Sequence, residues 1–238
     1  MFELFWQAIL ILLLLSLVAS PLGCLIIWQE LNFYSDSLAH ASALGLVLAF
    51  LLGFNPVLGL LAVALLMATI ISKSPQHYHS NNLTIILSAQ IMLAAALVLY
   101  AITGIRLPLE AYLFGDILLT SGLDVAIIAG ASISIGCWLY YNWRNLCLLT
   151  LSQELAMIHG VNAQKLKREL LLLISILISI AIQITGLLLL SSILILPAAI
   201  AGQISRNPTA MAVLATIIAV MGAALGFLAS FYYDIPSG

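Results

Sequence analysis

The chain has 238 residues, 64% of them hydrophobic and only 7% charged, with a formal net charge of −2. A soluble domain carries about 25% charged residues to solvate its surface, so the solvent of this chain is lipid. Seven Lys and Arg against nine Asp and Glu leave no basic patch of the kind a nucleic-acid surface needs.

A helical span needs about 20 apolar residues to cross about 30 Å of hydrocarbon. In chain order the apolar runs are 4–28, 37–53, 57–72, 83–103, 123–141, 170–190, 191–205 and 209–231. None alternates in the way of a membrane barrel strand, so the expected fold is all-α, a polytopic transmembrane bundle of about eight spans or half-spans. Runs 37–53, 57–72 and 191–205 are short for a full crossing and are open to being broken, tilted or re-entrant where protein or water satisfies the backbone. The chain opens Met1-Phe2-Glu3 with no basic segment, so the first run reads as a retained span, not a secretory signal. Cys24, Cys137 and Cys147 form no C-x-x-C pair and read as small buried hydrophobes.

Between runs 4–28 and 37–53 the apolar pattern breaks at Gln29-Glu30-Leu31-Asn32-Phe33-Tyr34-Ser35-Asp36-Ser37-Leu38-Ala39-His40. Asp36 and His40 are one helical turn apart and project from one face. A carboxylate oxygen with an imidazole nitrogen suits zinc or manganese, and an ionisable group at the bilayer centre costs about 2.5–3.5 kcal/mol on insertion scales. The competing reading is that Asp36 caps the following helix while His40 hydrogen-bonds nearby. Asn55-Pro56 is a turn signal, and 72–82 is a polar loop whose His77 and His79 read as solvated before they read as metal ligands.

Four of the seven basic residues, Arg144, Lys165, Lys167 and Arg168, fall within 142–169. The positive-inside rule places that stretch in the cytoplasm, with 104–122 outside and 72–82 inside. Glu110, Asp116 and Asp234 then fall outside or at the outer interface. Within the cytoplasmic stretch, Ser152 can cap a short helix and Glu154 sits in its first turn. Gly160 can close it in a left-handed conformation, and His159 decorates its end. Such a helix suits a groove in another protein, or is an ordinary connection. Pro208 is placed to open the last run, whose Gly222-Ala223-Ala224-Leu225-Gly226 gives a small-xxx-small surface. No G-x-x-x-x-G-K-[ST] phosphate cradle occurs.

Taken together, these residues resemble the permeases of zinc- and manganese-type ABC importers, closest to the zinc-uptake branch. The resemblance runs through Trp28, Tyr34 to Ser42, Asn55-Pro56, Ala111 to Asp116, Trp143 to Leu146 and Glu154-Leu155-Ala156 with Gly160-Val161. It continues through Gly186 and Leu196-Pro197-Ala198-Ala199 to Phe231-Tyr232-Tyr233-Asp234-Ile235-Pro236. It implies a single permease domain over 1–238 with a type II importer-like fold, dimeric, in the bacterial inner membrane. Asp36 and His40 would lie on the metal's path, and Glu154, Ala156 and Gly160 would dock on the ATPase. The implied partners are a second copy, a pair of ATP-binding subunits and a periplasmic or lipid-anchored metal-binding protein. No permanently bound cofactor is implied; zinc or manganese is the cargo, and the chain is a transport subunit, not an enzyme. Gly23-Cys24 stands where such permeases often have Gly-Ser. The chain ends at Ser237-Gly238, where the family continues, so a final span is expected to be missing. The alternatives are an ABC permease for a metal chelate or cobalamin-like substrate and an ion-coupled secondary transporter. The latter would bring inverted repeats and more intramembrane carboxylates.

Overall fold

The structure, a computed structural model, describes residues 2–73, 80–104, 115 and 120–233. Every element among these residues is helical: α1 (Phe2–Trp28), α2 (Tyr34–Leu52), α3 (Pro56–Lys73), α4 (Ser80–Thr103), α5 (Gly122–Leu151), α6 (Gln153–Ile158), α7 (Ala163–Ile204) and α8 (Pro208–Tyr233). Seven helices are long and apolar enough to cross a membrane, and Leu189–Ile204 is a shorter apolar one. The expected eight spans or half-spans are therefore present.

Several boundaries differ from the sequence expectation, each for a physical reason. Helix α2 begins at Tyr34, earlier than the expected 37, because its polar opening residues form a helical turn. Helix α5 continues through Trp143 and Arg144 to Leu151. Its 30 residues extend about 45 Å, longer than the hydrocarbon is thick, so its polar end need not be a loop. Helix α7 starts at Ala163, where Asn162 Oδ1 accepts from the Lys165 N–H at 3.0 Å, and breaks at Gly186, earlier than the expected cut at 190. Gly186 has φ 73 and ψ 165, a region essentially reserved for glycine.

The chain forms two compact units. One comprises Glu30–Leu109 and Gly160–Ile180, so α2, α3, α4 and the first part of α7. Helix α2 packs on α3 and α4. The α2–α3 crossing is tight: a Cβ on Gly45 would stand 2.5 Å from the Gly59 carbonyl oxygen. Small residues permit such close approach where the surrounding lipid provides no hydrophobic drive.

The other unit comprises Met1–Gln29, Glu110–His159 and Ala181–Gly238. Helix α1 packs on α5 and α8. Cys24, Ala198, Ala201, Met211, Ala212 and Ala215 form a buried cluster with Trp28 and Trp143 against it. The two indoles lie 6.3 Å apart, and Trp143 Nε1 donates to Thr209 Oγ1 at 3.2 Å. All three cysteines are free; Cys24 is buried, Cys147 partly so, and Cys137 is exposed. For Cys137 the buried reading is thus corrected: it belongs to the apolar surface of α5. Gly222 and Gly226 have open space around them.

Candidate functional site

The opening turn of α2 divides its residues sharply. Tyr34, Ser35, Ser37, Leu38, Ala39 and Ala41 are buried, whereas Asp36 and His40 are exposed. The helical period places the pair on one face. Neither side chain makes a hydrogen bond or ion pair among the described residues. Asp36 does not cap the helix, which corrects that alternative: the cap position is Phe33, with φ −88, ψ 0 and no side-chain capping bond. Asp36 lies in the first turn, where the helix dipole favours a carboxylate.

Tyr34 ties this turn to α7. It is fully buried, and its hydroxyl lies 2.6 Å from Ser175 Oγ, within the same unit. The Leu171 carbonyl accepts within reach of both hydroxyls, 2.8 Å from Ser175 Oγ and 3.4 Å from the Tyr34 hydroxyl, so either hydroxyl can donate to the other. Ser175 stands six residues beyond Glu169, the last charged residue of α7, about 9 Å along the helix axis. The opening turn of α2 is thus bonded to an uncharged stretch of α7, and ionisable residues in membrane spans as a rule face water or protein, not lipid. Among the described residues no three His, Cys, Asp or Glu come together.

The second candidate region is built from local signals. Ser152 Oγ accepts from the Glu154 N–H at 3.2 Å and the Leu155 N–H at 3.4 Å, the capping expected from the sequence. Helix α6 ends at His159, whose N–H bonds back to Leu155 O, and Gly160 follows at φ 75 in the expected left-handed conformation. Ala156 is buried, whereas Glu154 is exposed. Leu151, Met157 and Ile158 are 73%, 59% and 80% exposed. A short rigid turn thus presents apolar side chains beside a carboxylate.

A third feature concerns Gly115. A Cβ there would stand 2.3 Å from the Gly186 nitrogen and 2.7 Å from the Ile184 carbonyl oxygen. Gly115 therefore lies directly on the break in α7, and a side chain there would force the two apart. His77, His79, Glu110, Asp116 and Asp234 lie outside the described residues. Sequence reasoning missed Ser175 as the partner of Tyr34. Its signal was present in Ser175 and Ser179, two hydroxyls one turn apart in an apolar helix.

A family model described as the ABC 3 transport family matches residues 1–238. The chain belongs to this family. The high-affinity zinc uptake system membrane protein ZnuB of Haemophilus influenzae is 30% identical over 240 residues, covering 100% of this chain and 92% of that protein. The manganese transport system membrane protein MntC of Halalkalibacterium halodurans is 28% identical over 238 residues, covering 98% and 80%. Among solved structures, PsaBC from Streptococcus pneumoniae in complex with Fab superposes with a TM-score of 0.82 at 24% identity, covering 98% of this chain and 84% of that one. At this identity the likeness establishes the fold, that of an ABC 3 permease. Family members are permease subunits of ABC transporters, which are not themselves enzymes. The chain is a multi-pass protein of the bacterial inner membrane.

Proposed function

We propose that this chain is the permease subunit of an ABC importer for a divalent transition-metal ion, with zinc as the principal cargo. The observation that carries the reading is the exposed Asp36–His40 pair on an opening turn whose intervening residues are buried. Oxygen and nitrogen ligands suit both zinc and manganese, and the general order of site affinities favours zinc. Two ligands from one chain hold an ion more loosely than the four of a structural zinc site. That looseness suits a cargo that must leave again.

In this reading two copies of the chain enclose the path, and a metal-binding protein delivers the ion to its outer mouth. A pair of ATP-binding subunits docks on the cytoplasmic side. Helix α6 is the docking element: Ala156 turns inward, Glu154 and the exposed Leu151, Met157 and Ile158 turn outward, and Gly160 ends the turn. Closure of the ATPase pair pushes on α6, and the path opens alternately to either side.

The test is uptake of radioactive zinc and manganese by metal-depleted cells carrying wild-type permease, Asp36→Ala, His40→Ala or Glu154→Ala at matched membrane abundance. Loss of zinc uptake in the Asp36 and His40 variants, with the ATPase still bound, is the expected result. Wild-type uptake of both ions in every variant would sink the reading.

A further inference from the structure

We propose that Tyr34, through its hydrogen bond to Ser175, is the positioning residue that holds the Asp36–His40 turn and carries movements of α7 into it. The inference rests on reading Asp36 and His40 as the metal's path, and it adds the link between that path and the cytoplasmic side. Three observations meet here. The start of α2 has no side-chain cap; locally only the backbone meets it, with the Tyr34 N–H donating to the Leu31 carbonyl at 2.8 Å. The residue directly after the cap position, Tyr34, is fully buried and its hydroxyl is hydrogen-bonded to that of Ser175 at 2.6 Å, 141 positions away in the chain. Ser175 lies on α7, whose start at Ala163 is capped by Asn162 and follows Gly160 by three residues. From Ala163 to Ser175 the helix runs unbroken for twelve residues, about 18 Å.

The first part of α7 is therefore an unbroken helix that starts five residues after the docking element in the chain and is bonded at Ser175 to the turn that bears Asp36 and His40. The Tyr34 hydroxyl meets α7 at two atoms, Ser175 Oγ at 2.6 Å and the Leu171 carbonyl at 3.4 Å, and Ser175 Oγ lies 2.8 Å from the same carbonyl. A translation or rotation of α7 moves these oxygens, and the tyrosine ring, fixed in its packing, passes the displacement to the turn. Asp36 follows Tyr34 by two residues and His40 by six, so both ride on the same first turns of α2.

The experiment uses the complete importer, permease with its ATPase and binding protein, reconstituted in vesicles and supplied with zinc. Tyr34→Phe keeps the ring and removes the hydroxyl; Ser175→Ala removes its partner hydroxyl; Ser175→Thr retains it. Zinc transported per ATP hydrolysed is measured together with KM for zinc, membrane abundance and thermal stability. Loss of one intramolecular hydrogen bond corresponds to about two- to tenfold. Tyr34→Phe and Ser175→Ala are expected to lower the transport-to-hydrolysis ratio by that amount, with no further loss in the double variant and with recovery in Ser175→Thr. An unchanged ratio in Tyr34→Phe, or losses that multiply in the double variant, overturns the inference. Asp36→Ala and His40→Ala run alongside: if they abolish transport while Tyr34→Phe leaves the ratio intact, only this inference falls. If they leave transport intact, the metal path falls and this inference with it.

Discussion

The two candidate sites of this chain both sit at the start of a helix, and the two starts are held in opposite ways. Helix α6 is closed by its neighbour in sequence, with Ser152 accepting from the Glu154 and Leu155 N–H groups. Helix α2 has Phe33 at the cap position, no capping side chain, and a buried tyrosine bonded to a serine on another helix. A local cap makes an element that forms wherever it is placed, which suits a docking surface. A distant bond makes an element whose position depends on another helix, which suits a site that must move with it.

The comparison breaks most visibly at Tyr34. Tyr34→Ala deletes a fully buried ring, and large-to-small changes of that kind cost about 3–5 kcal/mol. A lower thermal unfolding temperature and reduced membrane abundance are expected, where Tyr34→Phe leaves both near wild type. If Tyr34→Ala is as stable as wild type, the ring does not hold α2.

At the other start, Ser152→Ala removes the cap of α6. Loss of a cap costs about 1 kcal/mol, a large share of the stability of a six-residue helix. Weaker co-purification of the ATPase subunit and reduced zinc uptake are expected, with thermal stability of the whole chain little changed and Ser152→Asp restoring both. Equal ATPase binding in Ser152→Ala and wild type would separate α6 from docking.

The smallest effect sharpens the contrast. Phe33→Ser offers a capping side chain to α2, but the backbone there is at φ −88, ψ 0, not the extended conformation in which caps reach the next N–H groups. Phe33 is also half exposed, so its replacement is expected to shift stability by no more than about 0.5 kcal/mol. A clear gain would mean that the start of α2 is limited by its cap, contrary to the role given to Tyr34.

The same contrast explains what was legible in the sequence. The number of apolar runs, the Ser152 cap and the left-handed Gly160 each depend on residues close together in the chain, and each was read correctly. The start of α2 was set three residues late because Tyr34, Ser35 and Asp36 are polar, and a hydropathy pattern cannot tell a polar turn buried in protein from a loop. The end of α5 was set early for the related reason that a helix can continue beyond the hydrocarbon with Trp143, Arg144 and Asn145 on it. The break at Gly186 lies within an apolar run, where one glycine gives no sign of whether it bends the chain. Which serine Tyr34 would meet is a fact of packing between helices, and no local pattern encodes it. Asp36 and His40 are visible as residue types at helical spacing, but their exposure between buried neighbours emerges only with the fold.

That exposure admits a direct measurement. With Cys24, Cys137 and Cys147 each replaced by alanine, Asp36→Cys and His40→Cys are exposed in membranes to a charged, lipid-insoluble thiol reagent, with and without zinc. If the pair lines a watered metal path, both positions react, and zinc slows the reaction by binding the introduced thiol with the remaining partner. If neither position reacts, or zinc leaves both rates unchanged, Asp36 and His40 do not line the path of the ion.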